Sequence, residues 1–421
     1  MYLTSMNQSL LLKFSILNKI LATFISIGAI YYIFKDFRNN RYIAKSSSSM
    51  LFLIFFAYCI LASIINGNGF QNFNNIYFVI HSSLFFFFVI AINHDKKILN
   101  YTIMIILVAV FIISATTLIM FLCNKFNITQ NFSSENLQKV FFESADVSGR
   151  WSSILSNSNT YAHLVSMTFF LSFIPFYETK KKRYKFYIFF MSSINLLVLL
   201  FSGSKGALLA MVLGVVLGVF EFIIYGVKNK KKKHIKKITL FLLSLILISL
   251  IIIKIIPVDI IDRSLDFFKI DIFRIDTIAT GTGRVGIWKA LLNLPIISHP
   301  FGYNDNYIYL YLKNLDIKYY SAFLNNAGRA HNMFLQVLVS YGFIGFLLFF
   351  LCLIKTLIQV IKFAKSNKYE NKLSFSLFLL QFIVILIGGS FEQLPIFNMS
   401  AHSLIFMLVW ANLLAITEKY D

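Results

Sequence analysis

The sequence predicts an all-α fold, a polytopic transmembrane bundle of about eleven helices with a large exoplasmic loop that carries short helices. Three observations predict it. Of the 421 residues, 58% are hydrophobic, more apolar surface than a water-soluble domain can bury. Runs of about 20 apolar residues, each long enough to cross a bilayer core, recur along the whole chain. Lysine and arginine gather in short segments between alternate runs. In lipid every backbone N–H and C=O needs an internal partner, so only helices or closed barrels span, and these runs are too long and continuous for barrel strands.

The runs place helices at about 15–34, 49–65, 75–92, 98–122, 160–177, 184–201, 205–225, 238–256, 332–354, 373–390 and 399–416. The opening MYLTSMNQSLLLKF has no cleavage pattern of a secretory signal, so the first run is read as a retained anchor. Helices one and two are joined by Lys35, Arg38, Arg41 and Lys45, and three and four by Lys96 and Lys97. Helices five and six flank Lys180, Lys181, Lys182 and Arg183, and seven and eight flank Lys228, Lys230 to Lys233, Lys236 and Lys237. Lys362, Lys365 and Lys368 join nine to ten. These five basic loops alternate with loops lacking that bias, which assigns them to the cytoplasm, with the C-terminus inside and the N-terminus outside.

Residues 1–421 therefore read as one integral membrane domain with two long outer loops, 123–159 and 257–331. Ordered loops of that length are usually functional. The first carries Lys125, Lys139, Arg150, Glu135, Glu143 and Asp146, and the second carries charges of both signs. In the second, the spacing of Ile287, Trp288, Leu291 and Leu292 predicts a short amphipathic helix lying on the outer membrane surface. No internal repeat is visible, which disfavours transporters built from duplicated halves.

The net charge of +21 sits in the short loops, a retention pattern, so no nucleic-acid partner is expected. Cys59, Cys123 and Cys352 lie in or at the ends of apolar runs without a CxxC pair, indicating neither a disulfide framework nor a metal site. The acidic residues of the large loop (Asp259, Asp262, Asp266, Asp271, Asp276, Asp305 and Asp316) form no DxD-type pair, and no metal or cofactor is expected.

Charged groups gathered on the outer side read as a binding or reaction site for an anionic, membrane-borne substrate. Gly281-Thr282-Gly283-Arg284-Val285-Gly286 spells GxGxxG, but a Rossmann reading needs a preceding strand and a βαβ unit, implausible in such a loop. Locally, the glycines free the backbone, a helix starts near Arg284, and its unpaired N–H groups together with the guanidinium fork suit an anion. A solvated surface helix start fits the same residues. Ser202-Gly203-Ser204-Lys205-Gly206 is a short outer turn with a cation at a helix start, and a tight turn whose lysine snorkels to the headgroups fits it slightly better than an anion site.

Gly149-Arg150-Trp151 offers Arg150 for phosphate, and Ser156-Asn157-Ser158-Asn159 suits sugar hydroxyls or helix capping. His163, one turn further, fits packing better than catalysis. Arg329-Ala330-His331-Asn332 opens the ninth helix and puts His331 at the outer boundary, suited to a phosphate or an attacking hydroxyl, or to a plain interfacial role. Gly342 and Gly345 read as permitting close helix packing. Glu392 and His402, near the last outer turn, are weaker candidates.

Together, GRWSSILSNSN at 149–159, SGSKGALLA at 202–210, GTGRVGIWKALL at 281–292, HPFGYN at 299–304 and AHNMFLQVLVSYGFIG at 330–345 resemble the O-antigen ligase and O-antigen polymerase family of polytopic membrane proteins. The specific match covers the C-terminal half. Arg284 and His331 match that family's functional arginine and histidine, and Arg150 a less fixed position. Lys205 stands where the family usually has arginine, keeping the charge without the planar fork.

The resemblance implies a metal-independent glycosyltransferase of the bacterial cytoplasmic membrane, acting on undecaprenyl-diphosphate-linked oligosaccharide at the outer face. Polysaccharide export and chain-length proteins are the implied partners, alongside membrane lipid. His331 and Arg284 are expected to be catalytic, and Arg150, Lys205, Asn159, Ser204, Arg329 and Asn332 to bind substrate. Tyr303, Tyr307, Tyr309, Tyr311, Tyr319 and Tyr320 are expected to form a platform for sugar rings. A polymerase and a ligase share this chemistry at the diphosphate; a capsule, exopolysaccharide or O-antigen polymerase is the favoured reading, by analogy with the Phe- and Ile-heavy members common in such gene clusters, and transfer of a finished glycan by a ligase is the alternative. A lipid-linked glycan flippase would want ionisable residues along the spans, where they are scarce; Glu221 and Lys254 lie toward helix ends.

Overall fold

The computed structural model describes residues 23, 26–39, 43, 46–66, 70–93, 95–125, 158–202, 204–229, 284–303, 305–315, 330–365, 372–392 and 401–418. Among them the secondary structure is helical. Residues 26–38 form α1, followed by α2 (Ser47–Asn66), α3 (Phe70–Ile92), α4 (Lys96–Lys125), α5 (Ser158–Ser166), α6 (Phe173–Glu178), α7 (Lys182–Phe201) and α8 (Lys205–Asn229). Then come α9 (Arg284–Leu292), α10 (Asp305–Leu315), α11 (Met333–Lys365), α12 (Lys372–Phe391) and α13 (Ala401–Glu418). Among the described residues six helices are long and apolar enough to cross a membrane, and α13 and the apolar part of α8 are slightly shorter, so this is an integral membrane protein. The expected eighth helix, 238–256, lies outside the described residues.

The centre of the bundle is α13, buried on nearly every side from His402 to Thr417, which is how a helix apolar all round must sit. Trp410 is its hub. Its ring lies 4.8 Å from Phe52 of α2, 5.6 Å from Phe349 of α11, 5.6 Å from Phe382 of α12 and 5.0 Å from Phe406, and its indole N–H donates to Thr356 Oγ1 at 2.8 Å. Between helices in lipid, this close aromatic packing with satisfied polar handles replaces the hydrophobic effect as the cohesive force.

The expected single helix at 160–177 is broken. α5 ends at Ser166, a 3₁₀ turn covers Phe170–Ser172, and α6 begins at Phe173. The local sequence accounts for the break. Hydroxyls of Ser166, Thr168 and Ser172 take the carbonyls of His163, Val165 and Phe169, and Pro175 has no N–H to continue the ladder. The freed groups are met from outside: Gln381 of α12 accepts from Phe170 N at 2.9 Å and donates to Ser166 C=O at 3.0 Å. Replacing Gln381 with leucine orphans both, and is expected to cost about 2 kcal/mol or more. Thermal unfolding in detergent measures it, and an unchanged midpoint would remove this role.

α11 is also not one straight helix. Gly342 sits at φ 70°, ψ −175°, and the kink seats the segment 299–303 of the large loop. A Cβ on Gly342 would fall 2.0 Å from the Pro300 carbonyl oxygen, and one on Gly302 (φ 88°) would fall 2.6 Å from the Gly342 nitrogen. Tyr303 N donates to Val339 O at 2.9 Å, Tyr58 OH to Pro300 O at 2.6 Å, and the Asn66 amide to Phe301 O. Gly342 therefore admits a loop backbone rather than a neighbouring helix, whereas Gly345 does face Tyr58 of α2.

The helix on the loop differs from expectation as well. Ile287 and Leu291 of α9 are buried in a second core with Leu294, Ile308, Leu312, Leu335 and Val339, so its apolar face meets α10 and α11 rather than the membrane surface. Leu292 alone of the four expected residues is largely exposed.

Several basic turns cluster at one end. Lys35 shares a cavity with Asp95, beside Lys96 and Lys97, and Asn100 bonds Glu178 just before Lys180. α3 and α13 run in the same direction, with Ser82 near Ser403 and Asn93 bonded to Asn412. The end of α3 is thus remote from the start of α13, where α12 terminates and the candidate site lies.

Candidate functional site

Three segments meet where α12 ends. Arg284 is the first residue of α9, His331 lies in the turn before α11, and Glu392 follows the last residue of α12. The second core fixes the first two relative to each other, and the Trp288 indole N–H donates to Ala330 O at 2.7 Å across them. Asn332 then joins α11 to α12: its Oδ1 accepts from Leu335 N at 3.0 Å as a helix cap, and its Nδ2 donates to Ser390 O at 3.0 Å.

Glu392 is the centre. Arg284 Nη2 donates to Glu392 Oε2 at 3.1 Å, and His331 Nδ1 pairs with Glu392 Oε1. Arg284 Nη1 donates to the Phe391 carbonyl, one of the acceptors a helix end leaves unpaired. A carboxylate at a helix C-terminus opposes the macrodipole, and the Arg284 guanidinium offsets that. Side-chain exposures are 19% for Arg284, 12% for His331 and 10% for Glu392, so the group is sunk but reachable. Burial pushes the Glu392 carboxyl upward, yet the His331 hydrogen bond and the charges of His331, Arg284 and His163 outweigh it and hold the group down at about 2.

The arrangement has two chemical consequences. The carboxylate bond fixes Nδ1 of a neutral His331 as its protonated nitrogen and leaves the basic lone pair on Nε2. Arg284 has five N–H donors and spends two on Glu392 and Phe391, leaving three beyond these bonds. His331 adopts φ 47°, a rare left-handed value for a residue with a side chain, which orients its ring toward Glu392.

Of the other expected site residues, Lys205 opens α8 beside Gly206, where an added Cβ would fall 3.1 Å from Phe391 Cβ. α8 therefore starts against the residue whose carbonyl Arg284 holds. Ser204 is buried under that turn and accepts from Leu208 N, while Asn159 lies partly exposed in the first turn of α5. Arg150 and Arg329 lie outside the described residues.

Tyr303 is buried, stacked on His299 at 4.5 Å, and Tyr311 donates to Asn293 O at 2.7 Å, so these two serve the loop's own packing instead of an open platform. The side chains of Tyr307 and Tyr309, and all of Tyr319 and Tyr320, are outside the described residues.

Two residues ranked low from sequence lie in or below the group. Glu392 is its hub. His163 is 2% exposed beneath it, its ring between Gly206 of α8 and Gly388 of α12, with no hydrogen-bond partner for Nδ1 among the described residues. His402 Nε2 meets Thr160 O at 2.7 Å and ties α13 to the first turn of α5. The available signal for Glu392 was an acidic residue closing a span in a turn that carries no lysine or arginine.

Residues 186–350 match the family model described as O-antigen ligase, a segment that contains Lys205, Arg284 and His331 and stops short of Glu392. Over that segment this all-α polytopic membrane protein is similar to the O-antigen ligase family. No curated protein and no solved structure matches it.

Proposed function

We propose that the protein is a polysaccharide polymerase that joins glycan from undecaprenyl-diphosphate-linked repeats at the outer face of the bacterial cytoplasmic membrane. The observation that carries this reading is the Glu392 carboxylate holding a guanidinium and an imidazole in one largely buried site. Outside the membrane there is no nucleotide-sugar pool, so the donor arrives already activated in the lipid.

The acceptor hydroxyl attacks the anomeric carbon, the glycosyl bond to the diphosphate breaks with inversion, and the hydroxyl proton passes to His331 Nε2. Arg284, with Lys205 and Arg150, takes up the charge released on the diphosphate, so no metal is required. Glu392 stabilises the imidazolium that forms. Asn159, Ser204, Arg329 and Asn332 shape the surrounding cradle within the single domain 1–421, whose outer loops are 123–159 and 257–331.

Transfer of a finished chain to another acceptor, as in a ligase, uses the same groups. Surface glycan from cells carrying Arg284→Ala or His331→Ala separates the readings, with each loss expected at about 10²–10³-fold in transfer. Single repeats without long chains identify a polymerase, long chains stranded on the lipid a ligase, and absence of outward-facing repeats a flippase. Unchanged glycan in both variants at normal protein levels would overturn the assigned roles.

A further inference from the structure

At the end of the bundle opposite the Arg284–Glu392–His331 group lies a cavity of about 120 Å³, lined by Tyr32, Lys35, Asp36, Ala91, Ile92, Asp95 and Ile98. It is framed by the end of α1, the end of α3 and the start of α4. Asp36 is the anomaly. It is 2% exposed in a region rich in lysine and arginine, yet no cation among the described residues sits on it. Its Oδ2 accepts from Ile43 N at 3.0 Å, and its Oδ1 is buried with no hydrogen-bond partner among the described residues. A buried carboxylate oxygen without a donor is costly, and a bound water, cation or ligand that supplies a donor resolves it.

The lining narrows the chemistry of that ligand. Asp95 is already engaged, its Oδ1 capping α4 through Lys97 N at 3.0 Å and Ile98 N at 3.2 Å. Two carboxylates beside a lysine are a poor metal cage, and no group of three metal-binding side chains occurs among the described residues. An N–H-bearing cation accompanied by an anion fits better: the cation on Asp36 and the anion on Lys35. The volume is about four times the roughly 30 Å³ share of one water, room for an aminoethyl group and no acyl chain. Tyr31, Phe34 and Phe37 of α1, beside the cavity, are 63%, 67% and 50% exposed, an apolar face suited to contact with lipid.

We infer that this cavity is a headgroup site for an aminophospholipid, with the primary ammonium donating to Asp36 and the phosphate meeting Lys35. The site lies apart from the transfer chemistry and does not depend on it.

The test is lipid retention by the full-length protein, measured by native mass spectrometry with phosphatidylethanolamine, its N-monomethyl and N,N-dimethyl forms, and phosphatidylcholine. Retention is expected to fall along that series as N–H donors are lost, by about tenfold from first to last, the scale of one charge-assisted hydrogen bond. Asp36→Asn keeps the acceptor for Ile43 N and is expected to abolish the preference. Equal retention of all four lipids by the wild-type protein overturns the inference without any variant having to fold. So does an undiminished preference in a folded Asp36→Asn protein. Displacement of the lipid by free ethanolamine at comparable concentration would assign the site to a soluble amine and overturn the lipid headgroup as its ligand.

Discussion

Replacing Glu392 with glutamine is expected to lower glycan transfer by about 10²–10⁴-fold while the protein still folds and inserts. Glutamine keeps the side-chain shape but removes the charge that holds Arg284 and His331. Its amide must also present an N–H toward one of two partners that are themselves donors, Arg284 Nη2 or His331 Nδ1–H. Losing the carboxylate removes the acceptor that holds His331 Nδ1 and frees the ring to turn. The fall should therefore appear in the maximal rate more than in the donor concentration needed for half of it. Transfer in isolated membranes supplied with lipid-linked glycan measures both, and a wild-type glycan ladder from Glu392→Gln would sink the assignment.

The pH dependence has a definite sign. The Glu392 carboxyl lies below its ordinary 4.5, at about 2. A depressed acid contributes its stability in full above the unfolded value and loses it as pH falls through the folded one. The stability gap between wild type and Glu392→Gln should be flat from about pH 8 down to about pH 5 and should close only in stronger acid. Thermal unfolding in detergent across that range checks it. An acid limb in transfer between about pH 5 and pH 7 would have to come from another group.

Gly342→Ala is expected to destabilise the protein by about 3 kcal/mol or more. The backbone there lies in a region that only glycine enters readily, and the added methyl would sit 2.0 Å from a main-chain oxygen that cannot rotate away. The loop segment 299–303 would have to lift from α11, losing the Tyr303–Val339 and Tyr58–Pro300 hydrogen bonds. Limited proteolysis within the large loop and a lowered unfolding midpoint are the expected readouts. Gly28→Ala is the control, because a Cβ there meets nothing within 4 Å and alanine suits a helix better. Equal behaviour of the two variants would show that the kink does not hold the loop.

The reach of sequence reading differs by residue. Spans such as 49–65, 75–92 and 373–390 were legible because crossing lipid demands a continuous apolar run, and the structure has helices there. Arg284 and His331 were legible as candidates through their local motifs, and the structure brings them to one carboxylate. Glu392 was underrated because it lies 108 residues from Arg284 and 61 from His331, with no motif around it. Ile287 and Leu291 were assigned to the membrane surface because apolar spacing describes a buried face without naming what buries it. The break after Ser166 was missed although Ser166, Thr168, Ser172 and Pro175 signal it, since its stability depends on Gln381 arriving from another helix.

What the chain by itself determined is its material: helical spans of membrane length, basic turns between them, and two polar motifs carrying a guanidinium and an imidazole. Hydropathy and charge act locally, residue by residue, and so can be read in order. Only the tertiary structure decided which distant groups share a site, that a kink at Gly342 seats the loop, and that Glu392 joins Arg284 to His331. Those outcomes depend on which helix ends and backbone segments come within a few ångströms, a property of packing in three dimensions that no spacing along the chain encodes.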